Sequence, residues 1–326
     1  MKVRTLAFSA VLAAIAALPA AAQQTYSIGT NPQGSLFFGV GTAIAKVLNE
    51  KANMLARVQA GGGTSTIAPQ LDAGRVDFSF NNAIEARYVY TGTGTFEGKP
   101  LKNLRLVHMV YPLPVTLAVP NESKIKSIAE AKGLRLPSEF TAQNIMQVVQ
   151  NAILANHGLK QSDFSSVPVS DYIKGQHLLP QGRVDIAMAA PGTAASREDH
   201  AELKSKGGLR FLPINTDEAS LKRMHAVFPE TLALPMKESP ARPGIIGDTT
   251  VMAYPFFLVA GAHVSEEAVY NAVKALHAGK KELVEAFAPL NAFEPKEMWR
   301  SHSVPYHPGA LKAFKELGLT EMGKTS

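Results

Sequence analysis

Apolar positions along the chain follow two spacings, which predict strands alternating with helices. Within residues 36–53 they recur every three or four residues, which is typical of a helix that buries one face, whereas short continuous apolar runs are typical of buried strands. The order of these segments predicts a mostly parallel sheet covered by helices. The predicted elements are strand Tyr26–Gly29, helix Leu36–Asn53, strand Ala56–Gln59, helix Thr64–Ala73 and strand Val76–Phe80.

The same order of elements recurs later in the chain. Leu71–Asp77 and Leu179–Asp185 are identical at five of seven positions, and in each a glycine ends a helix before an apolar strand. Chance, or the ordinary preferences of helix-to-strand turns, could also produce so short a match. Its equivalent placement in the two runs favours two similar lobes. The second run is strand Leu134–Leu136, helix Thr141–His157, strand Val167–Val169, helix Asp171–Leu179 and strand Val184–Ala189.

Apolar segments flanked by proline predict how the lobes connect. Leu104–Val110 and Val115–Val119 are predicted strands separated by a bend at Tyr111–Pro114, because proline is stiff and lacks a backbone donor. A return near Leu209–Ile214 leads to strand Val251–Ala260 and a helical C-terminal part. The sequence therefore predicts an α/β protein of two lobes, each a mixed, mostly parallel sheet flanked by helices, joined by hinge strands beside a cleft. Lobe 1 is assigned residues 23–112 and 214–326, and lobe 2 residues 113–213.

Residues 1–22 predict a cleavable export signal. Lys2 and Arg4 precede the apolar stretch Leu6–Leu18, and Ala20–Ala22 then offers small residues for cleavage. The alternative, a membrane anchor, is disfavoured because the stretch is shorter than the ~20 residues that span a bilayer. An exported protein without cysteine cannot carry a lipid-modified cysteine, so we expect a periplasmic location.

Composition and charge exclude several classes of protein. Of 326 residues, 46% are hydrophobic and none is cysteine, which allows a buried core and excludes a disulfide scaffold, a Cys-ligated metal centre and a thiol nucleophile. Loss of Lys2 and Arg4 with the signal lowers the formal net charge from +6 to +4. Basic clusters are short and lack interleaved aromatic residues, so we expect no nucleic-acid partner. We also expect a monomer.

Signatures of catalysis, cofactors and metals are scarce. The chain has no G-x-S-x-G motif, and no dinucleotide-type glycine pattern follows a predicted strand. His302 and His307 are poorly spaced for two metal ligands on one helix. We therefore expect no cofactor, no metal and no catalysis. A secreted enzyme is a lower-ranked alternative, with Asp77, Asp185 and His108 as its acid–base candidates.

Polar, glycine-rich segments follow the predicted strands, where the loops of a parallel sheet face a crevice. Residues 29–35 and 61–66 each open a helix, so free backbone N–H groups there could hold a carboxylate. The alternative is that these residues only cap helices and form turns. Three such loops at one cleft favour a ligand site. Its candidates in lobe 1 are Asn31, Gln33, Gly34, Ser35, Gly63, Thr64, Ser65, Asn81 and Asn82.

Taken in order, several segments resemble the TAXI family of solute-binding proteins, which serve tripartite ATP-independent periplasmic (TRAP) transporters. The likeness covers nearly the whole mature chain. It implies a type II-like periplasmic-binding-protein fold and a receptor that closes on a small solute before docking on a permease driven by an ion gradient. The segments that carry it are Gly29–Ala43, Gly61–Phe80, Thr91–Gly98, Asn103–Arg105 and Tyr306–Leu311 with Phe314, Glu316 and Gly318.

The sequence departs from the family pattern in both lobes. Leu36–Gly39 replaces the usual Thr-Tyr-Tyr-Pro, and 138–141 replaces Gly-Ser-Gly-Thr. By position, the resemblance still makes Ser138 and Thr141 ligand-binding candidates. Glu139 between them either favours a helix N-terminus or points into the cleft, where it would repel a carboxylate and favour a ligand with an amine.

The leading hypothesis is a periplasmic receptor without catalysis. It would bind a small organic acid or amino acid, anionic or zwitterionic, and deliver it to a TRAP-type membrane permease. The alternatives are a solute-binding protein of an ABC importer or a ligand sensor for a membrane kinase.

Overall fold

The computed structural model describes residues 24–323, which form ten strands and ten α-helices. The predicted signal at residues 1–22 lies outside the described residues. The first three strands contain the three strands predicted for this region or overlap them. The strands are β1 Thr25–Thr30, β2 Leu55–Ala60, β3 Phe78–Asn82, β4 Leu104–Pro120, β5 Arg135–Ser138, β6 Ser165–Pro168, β7 Ala187–Ala189, β8 Leu209–Phe211, β9 Leu232–Lys237 and β10 Asp248–Gly261.

The helices flank these strands, and short 3₁₀ turns connect several of them. Within residues 24–323, none has the length and apolar character that crossing a bilayer requires. The helices are α1 Leu36–Lys51, α2 Thr64–Asp72, α3 Ala83–Thr91, α4 Ile145–Asn156, α5 Tyr172–His177, α6 Ala194–Glu202, α7 Glu218–Val227, α8 Glu266–Ala278, α9 Lys280–Ala286 and α10 Pro308–Glu316.

Two long strands connect the halves of the molecule. In the first half β2, β1 and β3 pair in parallel, and β10 pairs antiparallel with β3. Strand β4 runs antiparallel to β10 and continues into the second half, where β7 and β8 pair antiparallel with it. β5 and β6 form a parallel pair of their own. The sheets are therefore mixed, with parallel strands outside and antiparallel strands at the connection; the lobe boundaries assigned from the sequence stay a prediction.

The predicted bend at Tyr111–Pro114 is wrong, because β4 is one strand of 17 residues. Pro112 lies opposite Pro255 of β10, so neither residue has an N–H to donate across that pair. Pro114 lies two residues after Pro112, so the backbone nitrogens of both face the same edge of β4. The missing donors of both therefore face the edge of β4 away from β10, in a stretch that precedes the pairing with β7 at Thr116.

The two matching sequence segments have the same role in the two halves. The Asp77 carboxylate accepts a hydrogen bond from the backbone N–H of Ser27, at 2.8 Å. The Asp185 carboxylate accepts one from the backbone N–H of Arg135, at 2.9 Å. In both halves the bonded residues are 50 positions apart. Ser27 lies on β1, which pairs in parallel with β3, whereas Arg135 lies on β5, which contacts β7 without pairing with it. Each aspartate thus ties the first strand of its half to the strand that follows two helices later.

Candidate ligand-binding site

A cavity lies between the two halves, at the carboxyl ends of β1, β3 and β7 and beside β4 and β10. The starts of α1, α2 and α3 reach it from one side, and those of α4 and α5 from the other. The halves close so fully that its free space is about 20 Å³, room for roughly one water-sized group. The lining residues are Asn31, Leu36, Phe37, Thr64, Asn82, Glu85, Leu113, Val115, Gln143, Ile145, Met146, Tyr172, Ala190 and Tyr254.

Backbone and side-chain contacts join the halves around the cavity. The N–H of Ala195 donates to the carbonyl oxygen of Gly34 at 3.3 Å. The N–H of Asn144 donates to the Ser65 hydroxyl at 3.4 Å. Two of the predicted ligand-binding residues, Gly34 and Ser65, therefore lie at contacts between the halves instead of lining the cavity.

Gly63 is the tightest of these contacts. Its φ of 143° lies in a region that favours glycine, and it immediately precedes α2. A Cβ at this position would lie 2.7 Å from the carbonyl oxygen of Ala142 and would overlap the Gln143 side chain. The described structure therefore has no space for any side chain at position 63 while the halves are closed.

Two predicted residues cap the helices that point at the cavity, as the alternative interpretation of these loops expected. The Ser35 hydroxyl accepts from the N–H of Phe38 at 3.2 Å and caps α1. Asn82 caps α3, because its Oδ1 accepts from the N–H of Glu85 at 2.8 Å. Asn82 also lines the cavity, so capping and a place in the site are combined in one residue.

Asn31 and Thr64 are the other predicted residues that line the cavity. The remaining predictions do not line it. Gln33 and Thr141 are exposed, and Asn81 and Ser138 are buried outside the lining. Whether any of the predicted residues contacts a ligand stays a prediction.

The structure adds lining residues that sequence reasoning missed. Glu85 comes from the first turn of α3, Gln143 precedes α4, Tyr172 begins α5 and Tyr254 lies on β10. Glu85 follows Asn82 by three residues, which is the spacing of an ordinary helix cap. That spacing is the only signal in the sequence, and it does not distinguish an exposed cap from a buried carboxylate.

The Glu85 carboxyl group is the dominant electrostatic feature of the cavity. The residue is 1% exposed, and its Oε1 has no hydrogen-bond partner among the described residues. Burial raises the pKa of Glu85 to about 8, and the nearby polar side chains of Thr64 and Asn81 only partly oppose this. The Asn81 amide nitrogen itself has no hydrogen-bond partner among the described residues. None of the described lining residues is Lys, Arg or His, so no cationic side chain there offsets the charge.

Gln143 places a second unpartnered group in the lining. Its Oε1 accepts from the N–H of Tyr172 at 3.0 Å, which fixes the orientation of the amide. Its Nε2 has no hydrogen-bond partner among the described residues, and the residue is 1% exposed. Burial raises the pKa of Tyr172 and of Tyr254, so both phenols keep their protons. The site therefore combines an acidic acceptor on one side with an amide donor on the other.

Glu139 lies outside the lining, and it is exposed with a φ of 70°. The predicted helix start at Thr141 is wrong, because α4 begins at Ile145, and Glu139 is therefore not at a helix N-terminus. The residues before the helix instead form turns, with the Glu139 N–H donating to Gln147. The acidic group in the lining comes from the first half of the chain, not from Glu139.

The acid–base candidates of the enzyme hypothesis have structural partners away from the lining. Asp77 binds Ser27 and His263, and Asp185 binds Arg135 through two side-chain hydrogen bonds. Burial lowers the pKa of His108 to about 4. Within residues 24–323, no group of three or more His, Asp or Glu side chains is arranged to hold a metal ion.

The fold is similar to that of three solved proteins. PhnD1 from Prochlorococcus marinus, in complex with methylphosphonate, is 10% identical, with a TM-score of 0.55 over 92% of this chain and 100% of that chain. The periplasmic binding protein BugD is 13% identical, with a TM-score of 0.56 over 92% and 99%. A binding protein of an ABC phosphonate transporter from Pseudomonas aeruginosa is 12% identical, with a TM-score of 0.52 over 83% and 80%.

These similarities confirm the predicted fold of a periplasmic binding protein, in which a cleft separates two α/β lobes. At 10–13% identity they establish the fold alone. A family model gives the more specific assignment, since it spans most of the described chain. With residues 28–318 matching that model, the protein belongs to the NMT1-like family.

Proposed function

We propose that the protein is a periplasmic solute receptor, which binds a small organic solute between its lobes and delivers it to a membrane importer. The observation that carries the proposal is the cavity between the halves, in which buried polar groups such as Glu85 Oε1 and Gln143 Nε2 have no hydrogen-bond partner within residues 24–323. Buried polar groups without partners are rare in folded proteins, and a bound solute would satisfy both.

The comparisons support this proposal through what the related structures are. PhnD1 is described in complex with methylphosphonate, and the Pseudomonas protein is described as the binding component of an ABC phosphonate transporter. The N-terminal export signal predicted from the sequence and the description of BugD as periplasmic favour a periplasmic location. We propose a receptor rather than an enzyme, because the related structures are described as binding proteins.

For the importer, the comparisons favour the ABC class over the TRAP class expected from the sequence. The Pseudomonas protein is named for an ABC transporter. A TRAP permease is the second candidate, and the resemblance to the TAXI family favours it. That resemblance rests on segments such as Tyr306–Leu311, which have structural roles here: His307 caps α10 and the Tyr306 hydroxyl donates to the Arg300 carbonyl.

A ligand screen tests the receptor function. Protein refolded from denaturant, and so freed of ligand carried through purification, is heated with organic acids, amino acids, amines, sulfonates and phosphonates. We expect at least one solute to raise the melting temperature, because a ligand that binds only the folded state stabilises it. Recovery of the solute unchanged by mass spectrometry supports a receptor, and its conversion would indicate an enzyme. No stabilisation by any class would contradict the proposal.

Transport assays then separate the two importer classes. The purified receptor is added to vesicles that contain the candidate permease, with the solute identified in the screen. ATP-dependent uptake that survives an uncoupler supports an ABC importer. Uptake that needs an ion gradient and not ATP supports a TRAP permease.

A further inference from the structure

Two unpartnered groups of opposite polarity line the same cavity from different halves of the chain. Glu85 Oε1 can only accept a hydrogen bond when the carboxyl is ionised, and Gln143 Nε2 can only donate one. Both residues are 1% exposed. A solute that satisfies both groups therefore needs a donor at one end and an acceptor oxygen at the other.

Charge balance decides the nature of the donor. A buried carboxylate is costly unless a cation pairs with it, and the described lining contains no Lys, Arg or His. The groups that influence the Glu85 carboxyl from α2, β3 and β10 are neutral: Thr64, Asn81 and Tyr254. A cationic solute would supply the missing charge.

The same balance decides the nature of the acceptor. A solute with one ammonium group and an uncharged oxygen leaves the closed site neutral when Glu85 ionises. A zwitterion leaves the site neutral only while Glu85 keeps its proton, and its ammonium group then has no anionic partner. A simple anion leaves one unbalanced negative charge even when Glu85 is protonated. Free space of about 20 Å³ holds one water-sized group, which suits a compact ammonium. A larger solute would hold the lobes further apart than they are here.

Resting on the proposed receptor function, we infer that the solute is a small primary amine with an uncharged acceptor oxygen, its ammonium paired with Glu85 and its oxygen bonded to Gln143 Nε2. Such amino alcohols and amino amides differ from the anionic or zwitterionic solutes expected from the sequence. They also differ from the methylphosphonate that PhnD1 holds.

Two series of solutes, matched in size and graded in charge, test the inference by calorimetry and melting temperature. The short series is ethanolamine, glycinamide, glycine and glycolate; the longer one is leucinol, leucinamide, leucine and 4-methylpentanoate. We expect binding to be tightest for the alcohol and amide, weaker for the amino acid and weakest for the acid. At pH 7 the amine should release a proton from the Glu85 carboxyl, seen as a binding enthalpy that changes with the ionisation enthalpy of the buffer.

Variants locate the effect at Glu85. Glu85→Gln keeps the shape and removes the charge, so it should weaken amine binding by about 30-fold or more and abolish the proton release. Gln143→Glu adds a second carboxylate in place of the amide donor and should favour the amine over the amino acid further. Glu139→Gln, an exposed control outside the lining, should bind as the unaltered protein does. Melting curves without ligand establish that each variant folds.

The results separate this inference from the receptor function. If the solutes that bind are acids, or if Glu85→Gln binds amines unchanged, the inference is overturned and the receptor function stands. It is also overturned if the broad screen yields only solutes without an amino group. If no solute binds at all, both proposals fail.

Discussion

A single buried carboxyl group sets the chemistry of the cavity. Glu85 has ordinary neighbours, and its pKa is raised to about 8 by desolvation, not by another charge. Because this burial involves both halves of the chain, the site was only partly predictable from the sequence. Asn31, Thr64 and Asn82 could be found from loops that follow strands, but the burial of Glu85 depends on how the second half packs against the first.

Glu85 should make the stability of the ligand-free protein depend on pH. Its pKa is raised from about 4.5 to about 8, so between these values the folded state keeps a proton that the unfolded state loses. Stability contributed by this group is full below about pH 4.5 and is lost as pH rises through about 8. Glu85→Gln should remove this loss, which amounts to a few kcal/mol as an order of magnitude.

Urea unfolding at pH 5, 6.5 and 8 checks the pH dependence. The informative quantity is the difference between the unaltered protein and Glu85→Gln, because other groups titrate in both proteins. Glu139→Gln should follow the unaltered protein. Parallel stability curves for Glu85→Gln and the unaltered protein would show that Glu85 is not desolvated as described.

At the scale of elements, most strands and helices were predictable. The errors lie in segments whose structure depends on the residues they pair with or pack against. The apolar spacing gave α1 and α2 to within two residues, because each buries one regular face. The continuity of β4 through Pro112 and Pro114 was not predictable, since it depends on Pro255 lying opposite and on an unpaired edge. The start of α4 was placed too early because the residues before it form hydrogen-bonded turns.

The two strand-tying aspartates give a prediction at this scale. Asp77→Ala removes the acceptor for the Ser27 N–H and hydroxyl and should lower the free energy of unfolding by about 1–3 kcal/mol. Asp185→Ala should act in the same direction and more weakly, because its side chain and that of Arg135 are more exposed. Urea unfolding measures both, with the exposed Glu97→Ala as control. A loss no larger than that of the control would refute the structural role of Asp77.

At the scale of the whole molecule, closure depends on the absence of a side chain at position 63. Gly63→Ala would place a Cβ against Ala142 and Gln143 of the other half, so the halves should be held apart. We expect a larger radius of gyration in solution scattering with ligand present, and affinity lower by about tenfold or more. Gly182→Ala is the matched control, because its φ is also positive at 69° but no atom lies within 4 Å of the added Cβ.

Scattering curves and affinities that are equal for Gly63→Ala and Gly182→Ala would contradict this role of Gly63. A melting curve shows whether Gly63→Ala still folds. It therefore separates backbone strain at the start of α2 from a failure of the halves to close. Gly62→Ala then keeps the test open, because its Cβ would lie 3.2 Å from the Ala142 Cβ and would act as a milder wedge.

Strands β4 and β10 pass through the molecule as a long antiparallel pair whose register shifts between Phe256 and Phe257 and between Leu258 and Val259. We expect this connection to bend along its length and not to rotate at a single pivot. Opening the cleft must then distort many of the hydrogen bonds between β4 and β10 slightly, instead of rotating a few backbone torsions. The strain is thereby distributed over the whole pair. If the protein is the receptor proposed here, a membrane importer that opens the cleft to take the solute would work against this elastic resistance, and the same resistance would favour closure after release.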